Sequence, residues 1–135
     1  MSERLELKIS RKAMYFLQIY RKALFPDREL SAEVSNGYVV GRAFEEIADV
    51  GHDINWKLIQ DYSKKITTPE GSFVTDMRFS EKTMKALDEY RDLFQKFFVG
   101  RVYRPFVVKL VLLAAYQRHT KGKDFMLLIE NIMNE

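Results

Sequence analysis

The residue types that most often carry out catalysis do not form a catalytic or metal-binding pattern in this sequence. There are two histidines and no cysteine, and neither His52 nor His119 has a second ligand at the helical spacing that zinc sites use. The glycine-rich loop of phosphate-binding enzymes is absent, and Ser10 and Ser80 have no histidine close in sequence. We therefore expect no enzyme activity, no cofactor and no metal ion.

Charged side chains that alternate with apolar ones offer a different chemistry in two short segments of the chain. Alternation with a period of two predicts two β-strands, each with one buried face. The outward positions are Arg4, Glu6 and Lys8 on the first strand and Val74, Asp76 and Arg78 on the second. Each strand therefore presents a row of side chains on the face that points away from the core.

A helical pattern follows each strand at once. Ser10 and Ser80 end the strands and suit the N-cap position, because a serine hydroxyl accepts a hydrogen bond from a free N–H of the first turn. Apolar residues then recur at spacings of three and four, which predicts one buried stripe on each helix. The stripes are Met14, Leu17, Tyr20 and Leu24 in the first helix and Met84, Leu87, Tyr90 and Phe94 in its counterpart.

Two more helices are predicted in each half of the chain. The second helix begins near Ser35-Asn36-Gly37 and, in the later half, near Tyr103-Arg104-Pro105, where proline is tolerated because a first-turn N–H has no helical partner. The later of these helices is apolar nearly all round, which predicts the most buried element. Residues 56–62 and 125–132 mark third helices, and residues 67–71 form the linker between the halves.

The two halves form an internal repeat. A shift of 70 residues matches residues 5–24 with residues 75–94, and a shift of 68 aligns the second helices. The identical pairs in the first match are Ser10/Ser80, Lys12/Lys82, Met14/Met84, Leu17/Leu87, Tyr20/Tyr90 and Arg21/Arg91. We therefore expect a single domain, residues 1–135, made of two copies of one unit, residues 1–70 and 71–135.

Charge is distributed unevenly along the chain. The net charge is +3, and residues 93–123 contain basic residues but no Asp or Glu. This stretch is either a solvated helix face or a patch that binds a polyanion. The N-terminus lacks a signal-peptide pattern, and no apolar run approaches the roughly 20 residues of a membrane span. Together with the absence of cysteine, this predicts a soluble, cytoplasmic protein.

A short strand needs a partner for its backbone groups, and the second copy supplies one. The expected fold is mostly α-helical, with a two-stranded antiparallel ribbon about a pseudo-twofold axis. The segments Glu6-Leu7-Lys8-Ile9-Ser10 and Asp76-Met77-Arg78-Phe79-Ser80, each followed by two helices, resemble the ribbon-helix-helix superfamily of the Met-repressor and Arc type. The resemblance covers residues 4–49 and 74–117. It implies a tandem single-chain form, either a monomeric pseudo-dimer or a homodimer of such chains.

The resemblance implies a sequence-specific protein that reads double-stranded DNA with the ribbon in the major groove. Such a protein would be a repressor or an accessory factor of plasmid or mobile-element DNA processing, such as conjugation. Lys8 and Arg78 would donate to guanine. The ribbon residues implied to bind DNA are Arg4, Glu6, Lys8, Asp76 and Arg78. Those implied at the starts of the second helices, where free N–H groups favour a phosphate, are Ser35, Asn36, Arg101, Tyr103 and Arg104.

Two features favour other interpretations. Glu6 and Asp76 put a carboxylate at the centre of each outward strand face, where it repels phosphate, and Val74 is apolar where a donor is expected. On this view DNA binding has moved to the basic second half or is absent. The alternative function is a helical adaptor for a protein partner, which keeps the ribbon only as architecture and presents the apolar face of residues 125–132.

Overall fold

A computed structural model describes residues 2–122 of the chain, and those residues form a two-stranded antiparallel sheet and six α-helices. The elements in chain order are β1 (Ser2–Ser10), α1 (Arg11–Leu24), α2 (Arg28–Glu33), α3 (Asn36–Glu46), α4 (Trp56–Lys65), β2 (Ser72–Ser80), α5 (Glu81–Gln95) and α6 (Arg104–Lys121). The predicted class, mostly helical with a short antiparallel ribbon, is confirmed. In this part of the chain no helix combines the length and the apolar character needed to cross a membrane.

The strands β1 and β2 form the ribbon by pairing along their whole length. Glu6 lies opposite Asp76 at the centre of the register. Successive side chains point to opposite faces of the ribbon, and the inner face is buried against the helices. Its buried residues are Leu7, Ile9, Met77 and Phe79. A two-stranded ribbon alone is only marginally stable in water, so burial of this inner face is what keeps the two strands together.

The helices α1 and α5 begin directly where the strands end, as the serine positions predict. The Oγ atom of Ser10 accepts a hydrogen bond from the backbone N of Ala13 at 3.0 Å, and that of Ser80 accepts from the backbone N of Thr83 at 3.1 Å. Each cap satisfies one of the free N–H groups of the first turn. Because no loop intervenes, the direction of each helix is tied to the strand before it.

The helix α6 lies at the centre of the core, as its nearly uniform apolar composition predicts. Its buried residues are Val107, Val108, Leu110, Val111, Leu112, Leu113, Ala114, Ala115 and Gln117, more than in any other helix among residues 2–122. The helix packs against α1, α3, α4 and α5 and against β1. Because its neighbours surround the middle of this helix, apolar residues are buried on all sides there, which explains why it is not amphipathic.

The short helix α2 is an addition to the predicted elements. The helix α1 ends at Leu24, and a new helix starts soon after it at Arg28, where Oδ1 of Asp27 accepts the N–H of Glu29 at 2.9 Å. A helix of six residues is too short for apolar spacing to reveal it. The helix α4 covers the predicted third helix of the first half, whereas the predicted helix at residues 125–132 lies outside the described residues.

Gly37 allows the first turn of α3 to lie against the ribbon. A Cβ atom at Gly37 would lie 2.1 Å from the backbone oxygen of Arg78, far inside van der Waals contact. Gly37 is buried, and α3 packs on β2 over this turn. The absence of a side chain at this position therefore sets the distance between the start of α3 and the ribbon.

We expect Gly37→Ala to lower the free energy of unfolding by about 2 kcal/mol or more, because the added methyl group meets backbone that cannot rotate away. Gly41→Ala is the matched control in the same helix, since its nearest neighbour is the side-chain Oγ1 of Thr83 at 3.0 Å. The control should change stability by less than about 1 kcal/mol. Urea denaturation followed by circular dichroism measures both variants. Equal effects would contradict the close approach of α3 to β2.

Candidate nucleic-acid interface

The six outward strand residues share one face of the ribbon, which we call the outer ribbon face. The register sets Arg4 opposite Arg78, Glu6 opposite Asp76 and Lys8 opposite Val74. All six side chains are exposed. The fold thus brings together every ribbon residue that the sequence predicts as DNA-binding. Among the residues whose side chains are described, none of the five charged side chains makes a hydrogen bond or an ion pair.

Charge alternates along the outer ribbon face. The carboxylates of Glu6 and Asp76 face each other across the strands, and like charges directly opposite are unfavourable. Each carboxylate has a basic diagonal neighbour, Arg78 for Glu6 and Arg4 for Asp76, which offsets the repulsion. Three bases and two acids give this face a net charge of +1. The cations lie at its two ends, which we call the arginine end (Arg4 and Arg78) and the lysine end (Lys8 and Val74).

The start of α3 adjoins the arginine end. Ser35 caps this helix, and its Oγ atom accepts a backbone N–H of the first turn at 3.1 Å. The Oδ1 atom of Asn36 accepts a hydrogen bond from the guanidinium of Arg21. Both predicted phosphate ligands therefore already use a side-chain oxygen atom inside the protein. Gly37 holds the same turn against the backbone of Arg78, so the predicted phosphate site and a predicted base-reading residue are neighbours.

Arg21, which is only 8% exposed, links α1 to α2 and to the start of α3 by hydrogen bonds. Its guanidinium donates to the backbone oxygen of Ser31 at 3.1 Å, to that of Val34 and to Oδ1 of Asn36, while its Nε donates to Oε1 of Gln18 at 3.2 Å. Burial lowers the pKa of Arg21. No sequence pattern signals this role, because most of the acceptors belong to a segment that follows α1.

The start of α6 adjoins the lysine end. Tyr103 precedes the helix and is 60% exposed, and Cζ of Arg101 lies 5.4 Å from the centroid of its ring. Arg104 turns instead towards α5, where its Nη2 atom lies 3.1 Å from Oδ1 of Asp88. Of the three residues predicted to bind DNA at the start of α6, Arg101 and Tyr103 are exposed at the surface. The charge of Arg104 is already balanced by Asp88.

Acids from other elements also balance part of the basic stretch at residues 93–123. In α6, Nη2 of Arg118 donates to Oδ2 of Asp49 at 2.8 Å, and Nη1 donates to the backbone oxygen of Glu46 at 2.9 Å. The bond from Arg118 holds the pKa of the Asp49 carboxyl below its usual value. Nδ1 of His119 lies 2.7 Å from Oε1 of Glu46. The C-terminal half of α6 is therefore joined to the end of α3 and to the turn that follows it. Because Arg118 and His119 are paired with carboxylates, this part of the helix does not form a basic patch available to a polyanion.

Each of the two histidines contacts another side chain of the protein. The ring of His52 stacks on that of Tyr90 with centroids 6.2 Å apart, and His119 pairs with Glu46 as described above. In the described part of the chain no three His, Cys, Asp or Glu side chains come together in a way that could hold a metal ion.

No protein-family model, no curated protein and no solved structure matches this chain. The resemblance to ribbon-helix-helix proteins therefore stays a prediction made from the sequence.

We expect Arg21→Ala to lower the free energy of unfolding by about 2–3 kcal/mol, because the backbone oxygens of Ser31 and Val34 lose their donor. Arg91→Ala is the matched control, since Arg91 lies 70 residues later and its Nη2 atom is 3.6 Å from Oδ1 of Asp88 near the surface. Exposed ion pairs contribute about 0–1 kcal/mol, so the control should change little. Urea denaturation compares the two. A similar loss for Arg91→Ala would contradict the role assigned to Arg21.

Proposed function

We propose that this protein binds double-stranded DNA in a sequence-specific way by placing the outer ribbon face in the major groove. The major groove of B-DNA is wide enough to admit a two-stranded ribbon. The observation that carries the proposal is the register of β1 and β2, which gathers three cations and two carboxylates on one exposed face with no partner inside the described chain. The starts of α3 and α6 flank this face and are suited to contact the phosphates on either side.

We infer that the chain is a duplicated pseudo-dimer, so that one molecule supplies both halves of the reading unit. Glu6 and Asp76 are 70 residues apart, the offset of the repeat, and they face each other at the centre of the register. A twofold axis through this pair would place Leu5 on Thr75 and Met77 on Leu7. It would therefore turn the pair of Leu5 with Met77 into the pair of Thr75 with Leu7, and both pairs are present in the register. The register therefore supports the pseudo-twofold relation without a second molecule.

The unequal ends of the outer ribbon face favour a DNA site without exact twofold symmetry. At the arginine end, Arg4 and Arg78 suit the O6 and N7 acceptors of guanine. At the centre, Glu6 and Asp76 suit the N4 donor of cytosine. At the lysine end, Lys8 offers one further donor, and Val74, 58% exposed, suits the methyl group of thymine. The biological role that fits such a protein is that of a repressor or of an accessory factor in plasmid or mobile-element DNA processing.

A helical adaptor for a protein partner is the second candidate function. Apolar side chains are exposed in the segment between α5 and α6, namely Phe97, Val99 and Tyr103. Under this alternative the ribbon is a structural element only. Selection of bound duplexes from a random pool distinguishes the candidates, because an adaptor enriches no sequence. The proposal is abandoned if no selected duplex binds with a Kd below about 1 μM at low salt, since specific sites bind far more tightly than that.

We expect Arg78→Ala to weaken binding to the selected sequence by about 1–3 kcal/mol and to relax the preference for guanine at one position. Arg91→Ala removes the same charge from α5, outside the outer ribbon face, and is the matched control. Fluorescence anisotropy on the selected duplex and on single-base variants of it measures both proteins. An equal, sequence-independent loss in the two variants would argue against base reading by the ribbon.

We expect the double variant Glu6→Gln with Asp76→Asn to bind random duplexes more tightly, by about tenfold, because two negative charges next to phosphates are removed. The amides keep the size of the side chains and add donors, so the preference at the central base pairs should change as well. The single-site changes Asp61→Asn and Asp92→Asn lie on exposed helix faces and serve as controls. Unaltered affinity for random DNA in the double variant would show that the carboxylates do not face the DNA.

A further inference from the structure

A cluster of three lysines lies beside the lysine end of the ribbon, and we call the cavity between them the lysine pocket. Lys12 comes from the first turn of α1, Lys64 from the last turn of α4 and Lys109 from α6. The cavity has a volume of about 470 Å³ and is also lined by the hydroxyl residues Ser10, Thr67 and Thr68 and by Glu70. Ammonium and hydroxyl groups around one cavity are donors suited to the oxygen atoms of a phosphate.

The lysine pocket is continuous with the ribbon through Lys109. This residue also lines a second cavity of about 470 Å³, whose other walls include Lys8, Ser72 and Tyr103. Lys8 belongs to the outer ribbon face, and Tyr103 precedes α6. A path of basic side chains therefore runs from the lysine end, past the start of α6, to the end of α4.

The three lysines share this pocket with one carboxylate, that of Glu70. Burial and repulsion from Lys12 and Lys64 lower the pKa of Lys109. The Nζ atom of Lys109 lies 5.0 Å from the ring centroid of Phe106, and that of Lys12 donates to the backbone oxygen of Ser63 at 2.8 Å. Among the residues whose side chains are described, none of the three lysines forms an ion pair. A bound anion would relieve this repulsion.

The corresponding place in the other half of the molecule is different. The repeat offsets put Lys82 in the place of Lys12 and Gly41 in the place of Lys109. Those two residues line a cavity of about 430 Å³ between α3 and α5, and its walls include the carboxylates of Glu45 and Glu89. Among residues 2–122 a cluster of three lysines around one cavity therefore lies at one end of the ribbon only. The lysine that corresponds to Lys12 in the other half has two carboxylates in its cavity, whereas the lysine pocket has one.

We propose that Lys12, Lys64 and Lys109 bind a phosphate of the DNA backbone that lies beyond the base pairs under the ribbon, on the side of Lys8. This inference rests on the proposed function, because it assigns the same DNA a contact outside the groove. It makes the complex asymmetric, with the extra phosphate held by α1, α4 and α6 at one end only. Direct contacts to bases are assigned to the ribbon and none to this pocket.

The test removes the charges of the pocket and measures how binding depends on salt. The double variant Lys12→Gln with Lys64→Gln changes side chains at the rim, and Lys109→Met, tested separately, keeps an apolar stem where the lysine is half-buried. Each should lower affinity for the selected duplex about threefold to tenfold at low salt and reduce the slope of log K against log salt by about 0.9, the value for one phosphate. Base preference should stay the same. Lys82→Gln is the matched control and should leave the slope unaltered.

Hydroxyl-radical footprinting on the selected duplex gives a second readout. The unaltered protein should protect sugars further on one side of the ribbon-contacted base pairs than on the other, and the Lys12/Lys64 variant should lose that extension. The lysine pocket is overturned as a phosphate site if the lysine variants keep the salt slope and the footprint of the unaltered protein. It is also overturned if Lys82→Gln loses as much affinity as they do. Base reading by the ribbon stands in either case. A protein that binds no selected duplex at all overturns the proposed function as well, so the two failures are distinguishable. Circular dichroism checks that every variant is folded.

Discussion

The structure depends on burial of one face of a two-stranded ribbon. The strands β1 and β2 are joined by backbone hydrogen bonds, but such a ribbon is only marginally stable unless one face is covered. The cover is helical, with α6 beneath β1 and α3 against β2. Because the two strands are separated in sequence by four helices, the ribbon forms only when both halves of the chain come together. The pairing thus unites the halves and leaves the opposite face free for a partner.

The sequence predicted the elements that are specified locally and missed those that depend on long-range contacts. Alternation revealed both strands, and the caps at Ser10 and Ser80 were evident because a cap is chosen by its immediate neighbours. The role of Arg21 was not evident, since its acceptors are carbonyl groups of a later segment. The pairs of Arg104 with Asp88 and of Arg118 with Asp49 join residues 16 and 69 positions apart. A stretch that is basic in sequence is for this reason partly neutral in space.

Under the proposed duplication, the two halves share one scaffold and differ at the points where they meet the ribbon. In the first half, Gly37 lets α3 touch the backbone of Arg78, and this end of the ribbon is closely packed. In the second half the corresponding residue is Pro105, and a cavity remains between the start of α6 and the ribbon. The sequence match between the halves covers cap and core positions such as Ser10/Ser80 and Leu17/Leu87. It does not reveal the cavity, which lies where the first half has Gly37 and the second half has Pro105.

Under the proposed function, this difference means that separate groups of the protein supply the affinity for DNA and the recognition of its base sequence. A ribbon face with a net charge of +1 and two carboxylates at its centre adds little to the salt-dependent attraction that dominates non-specific binding. The same carboxylates oppose binding wherever the bases cannot donate to them, which favours discrimination over affinity. Phosphate contacts must then supply the attraction, and they come from groups beside the ribbon. Lys12, Lys64 and Lys109 are suited to this because they lie at one end and leave the reading face unaltered. A protein built in this way binds its site in a single orientation, since only one end carries the additional phosphate contact.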